Sequence, residues 1–240
     1  MKILKKIVEK SKNLKNAEAV TIAFLGDSVT QGCFECYLTE TSLDTVFDER
    51  SSYSNRLKEI LHILFPSVQI NIINAGISGD NIHHGLQRLD RDILKYTPDL
   101  TVISYGLNDS VNGLKNLNDY ADSLKTIIDR LKECGSEVIF LTQNYMNDHT
   151  SCFLRDELFL RLAKNFAEVQ NSGCLTAYFE KAKEVCAQND VRVCDLHAVW
   201  KKLYDNGVNT TELLANKLNH PIREIHYYMA IKLLEIMFED

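Results

Sequence analysis

The chain has 240 residues, 45% of them apolar, which is enough to fill one sizeable α/β core. Its 27 basic and 33 acidic side chains leave a formal charge of −6 with no basic stripe, which argues against a nucleic-acid partner. No apolar stretch reaches the length of a membrane span, and the opening MKILKKIVEKSKNLKN is too charged for a signal peptide, so no stable membrane insertion and a cytoplasmic location are expected.

Seven scattered cysteines, an odd number, suit a reducing compartment better than a disulfide framework. Cys33 and Cys36 spell C-x-x-C, but the second pair that a zinc ribbon needs is absent. They are read as an incidental pair, and no metal or other cofactor is expected.

Ile3, Leu4, Ile7 and Val8 fall at helical spacing, so residues 1–18 read as an N-terminal helical extension with its apolar face docked on its own domain; a surface-seeking helix is the alternative. Five runs rich in β-branched residues follow, at 20–26, 68–76, 99–106, 137–143 and 191–196. None alternates cleanly between apolar and polar, as expected of strands buried on both faces. The stretch 33–51 is longer than a strand-to-helix turn requires and reads as a lid, a binding loop or a surface excursion. Helical patterns occupy 52–65, 85–96, 117–134 and 152–188, the last broken near Asn171-Ser172-Gly173, and a final helix begins around Pro221. Strand and helix alternate without a repeat or a Pro/Gly-rich linker, so the reading is one domain over 1–240, built on a parallel sheet covered on both faces.

Ligands of open parallel sheets sit beyond the carboxyl ends of the strands. There the sequence places Gly26-Asp27-Ser28, Ala75-Gly76-Ile77-Ser78-Gly79-Asp80-Asn81 and Gly106-Leu107-Asn108-Asp109, with Asn219-His220-Pro221 before the last helix. Each alone is explained by turns and caps. Together they supply what acyl transfer needs: a nucleophile in Ser28, a base in His220, and oxyanion donors in the Ser28 and Gly79 N–H groups and the Asn108 amide. A position just before a helix start would keep the His220 ring neutral through the end-dipole. His197, after the fifth strand, is the rival base; His62, His83, His84 and His226 lie on helical patterns.

These blocks resemble, in chain order, those of the SGNH hydrolases, the GDSL esterase/lipase family: GDSVTQG (26–32), NAGISGDN (74–81), YGLND (105–109) and NHPIREIHYYMA (219–230). The resemblance implies a flavodoxin-like three-layer α/β/α sandwich with a five-stranded parallel sheet. It also implies Ser28 as nucleophile, His220 as general base and then acid, and an oxyanion hole of Ser28, Gly79 and Asn108. One position departs. Where the family places an aspartate three residues before the histidine, this chain has Lys217. A Ser28–His220 dyad with a backbone carbonyl holding the ring is the leading reading, and Asp27, Asp195 and Glu212 are the carboxylates kept as possible supports.

The function expected is hydrolysis of small acyl esters, acetyl foremost, on carbohydrate, through an acyl-serine intermediate. Two alternatives stand beside it: acyl transfer to a sugar hydroxyl, and a weakened, carbohydrate-binding relative. A flavodoxin-like electron carrier is disfavoured because the first loop lacks a phosphate-cradling run of Ser, Thr and Gly.

Overall fold

Strand β1 (Val20–Gly26) lies at the centre of the architecture and is buried along nearly its whole length. A computed structural model of the chain describes residues 1–239. Beyond β1 come a hairpin of β2 (Cys33–Leu38) and β3 (Leu43–Phe47), then β4 (Ile70–Gly76), β5 (Leu100–Ser104), β6 (Glu137–Thr142) and β7 (Arg192–Asp195). The five long-range strands form one parallel sheet in the order β4-β1-β5-β6-β7. This is the flavodoxin order, with its switch point at β1.

Register decides what meets at the rim. Gly26, the last residue of β1, pairs with both Gly76 of β4 and Ser104 of β5. Three chains therefore leave the sheet level with one another, carrying the 27–28, 77–80 and 105–109 segments to one place.

The helices are α1 (Lys2–Lys12), α2 (Ser28–Gln31), α3 (Tyr53–Leu64), α4 (Ile82–Gln87), α5 (Leu89–Asp92), α6 (Leu107–Ser110), α7 (Leu117–Glu133), α8 (Glu157–Asn171), α9 (Cys174–Gln188), α10 (Leu196–Asp205) and α11 (Arg223–Phe238). α1, α3 and α11 pack together, as do α4, α7 and α9, giving the three layers of the α/β/α sandwich. Ile3 and Ile7 of α1 are buried in the core, and the N–H groups of Lys2 and Ile3 donate to the Glu137 carboxylate. The apolar face of α1 thus docks on its own sheet.

Four expectations change. The 33–51 stretch is an antiparallel hairpin followed by a short 3-10 turn, Glu49–Ser51. The single helix expected over 85–96 is instead α4, α5 and a 3-10 turn, because Arg88 leaves the helical path to place its guanidinium inside the molecule. α10 was not expected at all. α11 begins at Arg223 rather than Pro221, since Pro221 pairs with Leu214 in a β-bridge and the Ile222 N–H donates to Leu213 O.

Candidate active site

Ser28 opens α2 directly after β1, and the preceding Asp27 caps that helix by accepting the Val29 N–H at 3.0 Å. The turn is pressed onto β4, for a Cβ at Gly76 would stand 2.2 Å from the Gln31 backbone nitrogen. Gln143, just past β6, donates Nε2 to both Asp27 carboxylate oxygens, at 2.9 and 2.8 Å. Burial pushes the Asp27 carboxyl up to about 7, against the lowering effect of the Gln143 and Val29 hydrogen bonds.

The oxyanion candidates stand beside it. Gly79 has φ of +77°, a region few side chains adopt, and the space where its Cβ would be is open. Asn108 donates one amide proton of Nδ2 to the Asp80 backbone oxygen at 2.8 Å, which fixes the amide plane and leaves the second proton for a ligand. Among the described residues neither the Ser28 nor the Gly79 N–H has a hydrogen-bond acceptor. Buried Arg88 braces this rim: it donates to Asp80 Oδ2, to Ala75 O at the end of β4 and to Gly26 O at the end of β1.

His220 arrives on a closed loop. The Ala215 N–H donates to His220 O at 2.7 Å, and Asn216 Oδ1 accepts the N–H groups of Leu218, Asn219 and His220 at 2.9–3.0 Å. One carboxamide oxygen thus organises the whole turn. The ring lies with Nε2 3.0 Å from Ser28 Oγ and Nδ1 2.9 Å from the Phe34 carbonyl oxygen of β2. A carbonyl only accepts, so Nδ1 carries the proton and the Nε2 lone pair faces the serine hydroxyl. Burial lowers the ring to about 4, with the Phe34 bond opposing. Its neutrality comes from burial and not from a helix end, since α11 starts three residues later.

The supporting carboxylates do not reach the ring. Asp27 holds the serine turn, as described. Asp195 caps α10 through the Ala198 N–H and accepts from Thr142 Oγ1 and Lys183 Nζ. Glu212 accepts from Ser151 Oγ and pairs with Lys217 Nζ at 2.8 Å. That pairing draws Lys217, whose own φ is +58°, away from the imidazole. The rival His197 is packed between Tyr145 and Phe179, with Nε2 on Thr176, and His226 is fully buried against Phe34 and Tyr53. Sequence reasoning named neither Phe34, Gln143, Asn216 nor Arg88. Of these only Asn216, four residues before the histidine in a polar turn, carried a legible sign, that of an Asx-type hub.

Ser28, Gly79, Asn108 and His220 open into one cleft of about 410 Å³, walled by Leu43 and Phe47 of the hairpin on one side and Leu162 and Phe166 of α8 on the other. Among the described residues no helix is long and apolar enough to cross a membrane. A hydroxyl within hydrogen-bond distance of an imidazole nitrogen at the carboxyl rim of such a sheet has the chemical means for acyl transfer of the serine type.

Residues 24–226 match the model of the GDSL-like lipase/acylhydrolase family, and the chain belongs to that family. It is a hydrolase of carboxylic esters. An acetylxylan esterase of Geobacillus stearothermophilus is 23% identical over 171 residues, covering 66% of this chain and 76% of that protein. Among solved structures, the lipase/acylhydrolase of Enterococcus faecalis superposes with a TM-score of 0.65 at 20% identity, covering 91% of this chain and 95% of the other. A two-domain esterase active on acetylated mannans superposes with a TM-score of 0.67 at 18% identity, covering 98% of this chain but 52% of that one. These structural likenesses concern the fold.

Proposed function

We propose that the protein removes acetyl groups from acylated carbohydrate, with Ser28 as nucleophile and His220 as its only proton carrier. The carrying observation is the 3.0 Å approach of Ser28 Oγ to an imidazole nitrogen whose protonation state is fixed from the far side of the ring. As Oγ attacks the ester carbonyl carbon, Nε2 takes the hydroxyl proton. The carbonyl oxygen becomes an oxyanion, received by the Ser28 and Gly79 N–H groups and the second Asn108 amide proton. Collapse breaks the bond to the sugar oxygen, and His220 returns the proton to that leaving alcohol. A water, losing its proton to the same nitrogen, then attacks the acyl-serine; acetate departs and Ser28 recovers its hydroxyl.

The substrate class rests on the cleft and the relatives. Its lining mixes apolar walls with Asp44, Thr45, Ser78, Asn216 and Asn219, a combination suited to a sugar with its ring faces and hydroxyls. An acetylxylan esterase and an esterase of acetylated mannans stand among the relatives.

The test compares release from p-nitrophenyl acetate, butyrate and octanoate and from acetylated xylo-oligosaccharides, using the native protein, Ser28→Ala and His220→Ala. Both variants should lose at least about 10³-fold in kcat. Acetate should exceed octanoate, and free acetate should appear from the oligosaccharide. Equal rates for the three proteins would remove the mechanism, and a preference for octanoate would remove the substrate class.

A further inference from the structure

Gln143 is fully buried, yet a leucine-sized apolar side chain is what the interior beyond a buried strand ordinarily holds. Its carboxamide instead makes bonds in two directions. Nε2 donates to both oxygens of Asp27, and Oε1 accepts the Leu107 N–H at 3.0 Å. Asp27 immediately precedes Ser28; Leu107 immediately precedes Asn108. The β1–β5 ladder ends at the pair Gly26–Ser104, so beyond it no strand pairing joins the two turns. A side chain just beyond a third strand, β6, spans them.

We propose that Gln143 is a positioning residue that sets the distance between the Ser28 turn and the Asn108 turn, and so between nucleophile and oxyanion donor. The inference rests on the roles given to Ser28 and Asn108 above. The amide suits the task because its donor and acceptor are rigidly linked across one carbon. Asp27 needs a donor and the Leu107 N–H needs an acceptor, and no other neutral side chain of this length offers both. Glutamate would satisfy Leu107 but set two carboxyl groups face to face; methionine would satisfy neither. The two turns belong to different strands, so losing the bridge frees each to relax separately. Displacements of about 1 Å at a reacting centre cost on the order of 10²-fold in rate.

The same logic yields a rescue. In Asp27→Asn combined with Gln143→Glu three of the four hydrogen bonds keep a counterpart: the amide at 27 accepts from Val29 and donates to the carboxylate at 143, whose other oxygen accepts from Leu107, and only the second Nε2 contact, to Asp27 Oδ1, is given up. The single Gln143→Glu variant carries a pH signature. Asp27 already sits near the carboxylates of Asp80 and Asp109, with the buried Tyr53, Tyr105 and Cys33 also around it; the cation on this rim, Arg88, is bonded to Asp80, to Tyr105 and to the Gly26 oxygen rather than to Asp27. Two facing carboxyls there hold together only while they share a proton, so activity should fall as pH rises.

The experiment measures kcat and KM for p-nitrophenyl acetate from pH 5.5 to 9, with thermal unfolding, for the native protein, Gln143→Met, Gln143→Glu, the Asp27→Asn/Gln143→Glu pair and Ser28→Ala. Gln143→Met should lose about 10- to 100-fold in kcat with KM nearly constant. Gln143→Glu should lose more at pH 9 than at pH 6, and the pair should recover to within about threefold of native with a flat profile. A Gln143→Met variant with native kcat overturns the proposal, as does a pair that is no faster than Gln143→Glu or that does not fold. If Gln143→Glu alone fails to fold, a folded pair with near-native kcat still supports it. Ser28→Ala keeps the two readings apart: full activity there ends the proposed function, whereas an inactive Ser28→Ala beside an unaffected Gln143→Met ends only this inference.

Discussion

In the proposed mechanism the His220 ring works without a carboxylate behind it, and the neutral Phe34 carbonyl that stands there has two separable effects. It fixes the tautomer, because a carbonyl only accepts and Nδ1 must carry the proton. It supplies no negative charge, so nothing repays the burial of an imidazolium, and the ring is lowered to about 4. As the proposed base the ring is therefore weak but free at neutral pH. In the proposed mechanism activity requires the neutral ring, so the limb of kcat/KM for p-nitrophenyl acetate that belongs to His220 should lie near pH 4, whereas an ordinary histidine would have removed most of the activity by about pH 5.5; a change near pH 7 would mark Asp27 instead. Lys217→Asp belongs to the same prediction. Lys217 Nζ is held by Glu212, and Nδ1 of the histidine is already satisfied, so the substitution should change kcat by no more than about twofold and leave the acid limb in place. A faster enzyme with its acid limb moved toward pH 6 would mean that the carbonyl is a poor substitute for the charge.

Because that carbonyl belongs to β2, the β2–β3 hairpin has a part in the proposed chemistry that its exposed outer face conceals. Cys33 and Phe34 at its base are buried, while Tyr37, Leu38, Leu43 and Phe47 are exposed. Arg223, the first residue of α11, ties the base down: its guanidinium forks onto both Glu35 carboxylate oxygens at 2.7 and 3.1 Å, reaches Asp48 at 3.0 Å, and lies 4.2 Å above the Phe34 ring. Bidentate pairing with stacking is a geometry that only arginine provides. Arg223 also stands three residues after His220, so one side chain couples the segment carrying the ring to the strand that orients it. Arg223→Met keeps an apolar stem over Phe34 and removes the fork. It should lower kcat by about fivefold with little change in KM, because a loosened Phe34 carbonyl lets the ring turn. Arg223→Lys should recover only part. Steady-state kinetics beside thermal unfolding decides it: a lower melting temperature with native kcat would make the clamp a stabilising device alone.

Across the whole molecule, what could be read in the sequence was what burial writes into side-chain pattern. β1 appeared with its observed bounds, and Ser28, Gly79, Asn108 and His220 were placed on one rim because a parallel sheet gathers the ends of its strands. A backbone carbonyl behind the ring was expected, but which one could not be read, since nothing in residue identity marks that of Phe34; and the start of α11 moved because Pro221 pairs with Leu214 in a β-bridge rather than opening a helix. Gln143 was hidden differently, as a polar residue after an apolar run that looks like any strand end. Three histidines in this interior are neutral for the same reason, and that has a consequence for stability. His226 accepts the Tyr53 N–H at Nδ1, so its proton is on Nε2, which is buried without a partner among the described residues. Burial first, then the nearby His220, Arg223 and Arg56, lowers it from 6.5 to about 3, with Asp48 opposing. A folded value below the unfolded one gives stability that is complete above pH 6.5 and drains away as pH falls and the unfolded chain takes up the proton. By pH 5 the loss from this one residue is about 2 kcal/mol, set by the unfolded value as long as the folded one lies well below 5. His197 and His220 act in the same direction, and Asp27 and Asp109, raised by burial to about 7 and about 6, act in the opposite one, losing stability as pH rises through those values. His226→Gln isolates the term, since its amide oxygen can accept from Tyr53 while the other four groups remain common to both proteins. Urea unfolding at pH 7.5 and 5.0 should find the variant less stable at the higher pH and the gap narrowed by about 2 kcal/mol at the lower. A gap that stays constant would mean that His226 takes up its proton in the folded protein as readily as in the unfolded chain, and that Phe34 and Tyr53 do not seal it from water.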